Sequence, residues 1–418
     1  MRVVIVTNFF SKNSGGGGLV AYSQALELKK NGFEVFIFTT TFEEKIGWQS
    51  IDGIEIYKIK AKKFRKITKS YICLFNPKVN KEFKNFLKTA QPQIIHFHSI
   101  TAQIPFSAIK VAKSFNHSVK IFFTAHDVMT FHYGKLMEFI DQNNFLIPKK
   151  FNYRINFWQQ LKRYKKAYNP FRRLKIRHYL KLVDKIFAVS NSLQSALNQN
   201  GIENVEVVYN GIDLSDWNLE DKMVEKFRQD YGLADKKIIF FGGRSSALKG
   251  GEKIIQAMAE VKKIIPNAAL MMAGNKDKYY NNLSELALKL KVEVVLTGWL
   301  KGDELKAAYF CSDIIVTPSI CLDTFNQMNI EAMAARKPVV GTCFGGTPEI
   351  VVDQKNGYIV NPLNVNMMAE KIIDLLNNPD KAKNFGEAGY ERVKEKFLLS
   401  RQTQEILKYY NNFLQNHD

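Results

Sequence analysis

The sequence predicts an α/β protein built from two doubly wound domains. The chain has 418 residues, more than one compact core holds and suited to two domains. Short β-rich apolar runs alternate with longer amphipathic stretches along most of its length, the pattern of a parallel sheet covered by helices. That pattern is played twice, and each series opens with a strand that enters a glycine-rich turn. Hydrophobic residues make up 46% of the chain and charged residues 24%, ordinary for a folded globular protein.

Taken in order, the β-rich runs of the first half fall at 3–6, 35–38, 54–57, 94–97, 121–123, 186–189 and 205–208. Those of the second fall at 238–241, 270–273, 292–295, 314–316 and 339–340. Helical patterns lie between them, for example at 21–30, 253–265 and 326–335. A strand that ends in the turn dipeptide Asn210-Gly211 marks the break. Residues 1–210 are therefore expected to form one Rossmann-like domain and 211–399 a second, with 400–418 a helix returning to the first. The stretch 130–184 reads as a basic, helical insertion in the first domain.

Cys73, Cys311, Cys321 and Cys343 form no Cys-x-x-Cys pair and no zinc spacing, so buried, reduced thiols of a cytosolic protein are expected. Residues 2–10 read as a strand from the outset, which excludes a signal peptide from the expectation. No apolar run reaches the roughly 18 residues that a membrane helix needs. A cytoplasmic protein, attached peripherally at the inner face of the cell membrane, fits these features.

The net charge of +20 is unevenly spread. Residues 1–212 hold 33 Lys+Arg against 13 Asp+Glu, whereas 213–418 hold 27 of each. The densest stretch, from Lys149 to Lys185, carries thirteen basic residues and one acid, Asp184, with Phe151, Tyr153, Phe157, Trp158, Tyr164, Tyr168 and Phe171 threaded through it. Basic clusters with interleaved aromatics suit an anionic membrane surface or a nucleic-acid backbone. A solvated helical face is the plain alternative.

In open parallel sheets ligands bind beyond the carboxyl ends of the strands. After the first run comes Gly15-Gly16-Gly17-Gly18, where glycine permits close backbone approach and a helix start favours phosphate. The second run ends in threonines without a carboxylate, which argues against a dinucleotide site. In the second half, Gly243-Arg244 ends a strand and Lys249-Gly250 opens the next helix. Two fixed cations at a helix start suit a diphosphate leaving group. Farther on, Asp323 lies at a loop tip and Glu331 on an otherwise apolar helix face, where a carboxylate needs a partner. Ribose hydroxyls would provide one, and a structural ion pair is the alternative. His96 and His98 flank Phe97 without a third metal ligand in view; His126-Asp127 at another strand end is the better functional candidate.

Seven segments in order, the glycine loop, Thr124-Ala125-His126-Asp127, Ala188-Val189-Ser190, Val208-Tyr209-Asn210-Gly211-Ile212-Asp213, Gly243-Arg244 with Lys249-Gly250, the Asp323/Glu331 pair and Gly345-Gly346-Thr347-Pro348-Glu349, give a chain that resembles the family-4 retaining glycosyltransferases of GT-B fold over nearly its whole length. The resemblance implies two Rossmann-like domains facing across a cleft, with a nucleotide-sugar donor in the second and the acceptor against the first. It implies that Arg244 and Lys249 grip the donor diphosphate, and that Gly16 and Gly17 close over the phosphate. Glu331 holds the ribose, Asp323 the donor sugar's hydroxyls, and Thr324, Phe325 and Asn326 complete that wall. The backbone at Gly298-Trp299 meets the nucleobase, His126 lines the reacting sugar, and His98 and Asp127 lie on the acceptor side. The family has Glu where this chain has Asp323 and Gly where it has Asn326, and both departures bear on donor identity.

Sugar transfer develops negative charge on the leaving group. No Asp-x-Asp motif is present, so Arg244, Lys249 and helix dipoles are expected to neutralise it without a metal or other cofactor. The expected acceptor is a glycan or lipid-linked molecule of cell-surface polysaccharide or glycolipid synthesis, with 149–185 docked on anionic lipid and no nucleic acid bound. The alternatives are a nucleotide-sugar epimerase or hydrolase on the same fold, and a basic nucleic-acid-binding protein.

Overall fold

The computed structural model describes residues 1–11, 16–138, 145–148, 150–244, 246–275 and 277–415. The strands among them are β1 (Arg2–Thr7), β2 (Glu34–Thr41), β3 (Gly47–Ile51), β4 (Ile54–Lys60), β5 (Ile94–His98), β6 (Lys120–Ala125), β7 (Met137–Glu138), β8 (Lys185–Ala188), β9 (Val205–Val207), β10 (Lys237–Gly242), β11 (Ala268–Ala273), β12 (Val294–Gly298), β13 (Ile314–Thr317), β14 (Cys321–Leu322), β15 (Val339–Thr342) and β16 (Gly357–Val360). The chain divides into two compact units, one of residues 1–135, 152–211 and 399–418, the other of 136–151 and 212–398.

The first unit carries an eight-stranded sheet in the order β3-β4-β2-β1-β5-β6-β8-β9. All neighbours are parallel except β3, which pairs antiparallel with β4 at the edge. Buried on both faces, β1 is a continuous apolar run with Val3 to Val6 fully covered. The sequence reading omitted β3. Its signal was Asp52-Gly53, both at positive φ, the turn chemistry of a two-residue hairpin. The helix Leu399–Gln415 belongs to this unit, where Tyr410 and Ile406 join a core with Val3, Ile5, Phe122 and Phe187.

The second unit has a six-stranded, all-parallel sheet in the order β12-β11-β10-β13-β15-β16. Renumbered within the unit this is 3-2-1-4-5-6, the dinucleotide-binding order, whose ligand crevice lies between the first and fourth strands. Here those strands are β10 and β13. In the first unit the same switch separates β1 from β5. Helices such as Gly251–Ile264 and Val365–Asn377 bury Ile254, Met258, Ile372 and Leu375 against the sheet.

The expectation that 130–184 is one insertion of the first domain is corrected. Residues 136–151 belong with the second unit. There β7 pairs antiparallel with β14, Asn361 Nδ2 donates to the Leu146 carbonyl at 2.8 Å, and the Phe151 ring meets Phe344 edge-on. Backbone pairing of this kind leaves no trace in a charge count. The remainder does form helices, Phe157–Tyr164 and Arg172–Leu180; Lys149 lies outside the described residues. All four cysteines are free and buried.

Candidate functional site

In the second unit the sequence-predicted residues gather beyond β10 and β13. Strand β10 ends at Gly242, and Gly243 follows at φ +123. Arg244 is exposed, and among the described residues no carboxylate pairs with it. The chain then makes a short 3₁₀ turn, Ala247–Lys249, capped by Ser246, and reaches Gly250 at φ +81. A side chain at Gly250 would collide with the Pro318 carbonyl oxygen at 2.0 Å, so glycine lets the two strand-end loops touch. The helix Gly251–Ile264 begins there without a side-chain cap, leaving its first N–H groups to other acceptors.

This contact brings Lys249 to Asp323. The Lys249 Nζ lies 2.6 Å from Asp323 Oδ2, both side chains being largely buried. Ser319 Oγ donates to the same oxygen at 2.9 Å. Gly346 N donates to the Asp323 carbonyl at 2.8 Å. At Gly345, φ is +71 and a Cβ would lie 2.2 Å from the Asp323 carbonyl oxygen. The Gly-Gly-Thr-Pro-Glu run is thus the floor on which the Asp323 loop rests. The two groups assigned to phosphate and sugar from the sequence are bonded to each other here.

Glu331 sits in the helix Gln327–Ala334. The partner its burial demanded is Tyr309, whose hydroxyl donates to Glu331 Oε2 at 2.5 Å. The other oxygen, Oε1, receives no hydrogen bond from a described residue. Burial raises the Glu331 carboxyl above the ordinary glutamate value, and the Tyr309 hydroxyl opposes that rise. Tyr309 is fully buried between Phe240 and Trp217.

Other expected members have structural duties. Asn326 accepts from Met328 N at 3.2 Å and so caps the helix that carries Glu331, which accounts for an Asn where the family has Gly. The Phe325 ring packs edge-on against Phe397, and Thr324 is buried. Gly298 closes the edge strand β12 at φ +83, with Trp299 next to it and 44% exposed. One strand, β11, separates them from β10's end. Sequence reasoning missed Ser319 and Tyr309; Ser319 stands only four residues before Asp323, whereas nothing in the pattern around Tyr309 marked it.

In the first unit Gly16, at φ +64, starts the helix Gly17–Lys30 without a side-chain cap. A Cβ at Gly17 would fall 2.3 Å from Ser99 Oγ and 3.1 Å from the His126 ring. His98 Nδ1 lies 2.9 Å from His126 Nε2, the rings stacked at 5.1 Å. His96 has both nitrogens engaged, Nδ1 with Tyr410 at 2.7 Å and Gln24 at 3.2 Å, Nε2 with Thr124 at 2.7 Å. Burial pushes His126 down to about 3 and His98 well below the usual histidine value, so the rings are neutral. Asp127 accepts from Met129 N at 2.9 Å and shapes the turn after β6. A small recess is lined here by Ser99, Thr124, Ala125, His126, Asp127 and Thr130.

The basic stretch is of mixed character. Arg172 is 2% exposed, donates to the Met129 carbonyl and lies 4.9 Å over the Tyr133 ring. The helix Phe157–Tyr164 buries none of its residues, leaving Trp158 73% exposed with Phe157 and Leu161 beside it. Among the described residues no helix is long and apolar enough to cross a membrane.

Comparison with known proteins agrees with this geometry. Residues 223–392 match the family described as Glycosyl transferases group 1, and residues 14–216 match Glycosyltransferase Family 4. The spore coat protein SA of Bacillus subtilis is 29% identical over 218 residues, covering 49% of this chain and 58% of that protein. The matches span about half the length of the curated relatives, 58%, 44% and 49% for three of them. Sucrose-phosphate synthase from Thermosynechococcus elongatus superposes with a TM-score of 0.77 at 18% identity, covering 100% of both chains. Anabaena HepE, solved in complex with UDP and glucose, gives 0.71 at 17% identity over 98% of this chain and 99% of that one. These likenesses show the fold, the α/β GT-B class with its two Rossmann-like domains. With the two family matches covering both units in order, the chain belongs to the family-4, group 1 glycosyltransferases.

Proposed function

We propose that the protein transfers a sugar, with retention of anomeric configuration, from a nucleotide-diphosphate sugar to a glycan or lipid-linked acceptor. The observation that carries this is the cluster at the ends of β10 and β13: an exposed Arg244, the Lys249–Asp323 pair at 2.6 Å and the open oxygen of Glu331. A diphosphate would draw on Arg244 and Lys249, and the first N–H groups of Gly251–Ile264 extend that positive end. As the glycosidic bond breaks, these cations stabilise the departing diphosphate. The ribose binds Glu331 Oε1, and the donor sugar lies by Asp323. The chemistry needs no metal in this reading, because fixed cations take its role; activity that survives EDTA agrees, and loss restored by Mg²⁺ contradicts it.

HepE's UDP supports a nucleotide donor, and the exposed Phe157, Trp158 and Leu161 beside Lys162, Arg163, Lys165 and Lys166 support an acceptor held at an anionic membrane. The test is thermal unfolding with UDP, GDP, ADP, CMP, NAD and a short DNA. One diphosphate at a hundred times its dissociation constant should add about 2.7 kcal/mol, and Arg244→Ala or Glu331→Ala should remove the gain. A response to DNA alone would overturn the reading.

A further inference from the structure

We infer that His98 is a positioning residue for His126, holding its ring in one orientation and in one neutral tautomer, with the proton on Nδ1. The inference deepens the reading that His126 lines the reacting sugar, and rests on it.

The geometry constrains which nitrogen holds the proton. His98 Nδ1 and His126 Nε2 are 2.9 Å apart, so one donates and the other accepts. His98 is completely buried, and among the described residues its Nε2 has no hydrogen-bond partner. A proton there would be a buried N–H without an acceptor, a rarer and costlier arrangement than a bare lone pair. The His98 proton therefore sits on Nδ1 and is donated to His126 Nε2. That leaves His126 protonated on Nδ1.

Two further contacts hold the arrangement. The His96 ring packs against His98 with centroids 4.3 Å apart, tilted by 40°, and is itself fixed at both nitrogens by Tyr410, Gln24 and Thr124. The backbone at Gly17 lies against the Cδ2–Cγ edge of His126, where even a Cβ would come within 3.1 Å. His126 is thus set between a glycine and a histidine, with its donor nitrogen chosen by the neighbour. A sugar hydroxyl beside it meets a fixed N–H instead of a ring free to change tautomer.

The experiment uses the full chain labelled with ¹⁵N-histidine, in which long-range ¹H–¹⁵N spectra distinguish protonated from bare ring nitrogens. His126→Gln identifies the His126 signals by their loss. His98→Phe keeps the stacked ring and removes the donor, and His98→Asn returns an amide N–H near the lost Nδ1. In the native chain His126 should carry its proton on Nδ1; in His98→Phe that preference should vanish and in His98→Asn it should return. With donor and acceptor supplied, kcat should fall about tenfold in His98→Phe, the loss of one hydrogen bond, with the donor KM within twofold, and should recover in His98→Asn. A proton on Nε2 of His126 in the native chain, an unchanged His126 spectrum in His98→Phe, or equal activity of both variants overturns the inference. Should His98→Phe fail to fold, as a melting curve would reveal, the native spectrum and His98→Asn still decide it. If the chain transfers no sugar while the His126 tautomer still follows residue 98, the pairing stands and the functional reading fails.

Discussion

Lys249 and Asp323 lie 74 residues apart in sequence and 2.6 Å apart in space, each occupying the group through which the other is expected to hold the donor. The pair ties the loop after β10 to the loop after β13, across the switch point of the sheet. Donor binding then exchanges one set of charge-assisted bonds for another, with Ser319 left to hold Asp323.

This pairing predicts a separation of stability from binding. Lys249→Ala leaves a buried Asp323 without its counter-ion, and should cost about 3 kcal/mol in chemical denaturation. The double variant Lys249→Ala/Asp323→Ala should recover most of that loss, since neither charge is then unpaired. Nucleotide affinity should stay impaired in both.

Gly345→Ala should destabilise the protein by more than about 1 kcal/mol. Its φ of +71 disfavours any side chain, and the new Cβ would strike the Asp323 carbonyl oxygen. Urea unfolding measures the cost, and calorimetry should show weakened nucleotide binding because the Asp323 loop must move.

Acid should destabilise the first unit through its histidines. His126 and His96 are pushed down to about 3 in the folded chain, and His98 is also lowered. The unfolded chain takes up protons near pH 6.5. Stability is thus present above that value and is lost as pH falls from 6.5 toward 3, by about 1.4 kcal/mol per pH unit for each ring that stays neutral. Denaturation midpoints measured from pH 7 to pH 4 should show this slope, reduced in His126→Gln.

Glu331 acts in the opposite sense. Its carboxyl is raised in the fold, so its contribution is fully present below the ordinary glutamate value and is lost as pH rises through the raised one. Glu331→Gln should flatten stability on that side of the profile and weaken binding of ribose-containing nucleotides. Tyr309→Phe should weaken the same binding by removing the bond that orients Glu331.

The sequence revealed most where a local rule was at work. Apolar runs marked the buried strands, Asn210-Gly211 the break before Ile212, and the glycines the places where loops approach. Asp52-Gly53 carried the hairpin signal for β3 as clearly, and was passed over because β3 itself is short, largely exposed and edge-placed. Contacts between distant segments were illegible: nothing local announces that Tyr309 will meet Glu331, that Lys249 will meet Asp323, or that β7 will pair with β14. Asn326 shows the converse, a departure from the family that looked functional and serves as a helix cap.

The ends of β10 and β13 are proposed to bind a nucleoside diphosphate through Lys249, which the fold also uses to pair Asp323, and through Arg244, which the fold does not need. Arg244 is exposed and pairs with no carboxylate among the described residues. Calorimetric titration of the native chain and Arg244→Ala with the diphosphate that stabilises it, and with its monophosphate, is the decisive measurement. Arg244→Ala is expected to unfold within about 0.5 kcal/mol of the native chain, to lose roughly 10- to 100-fold in diphosphate affinity, and to bind the monophosphate almost unchanged. Equal diphosphate binding by both proteins would contradict it.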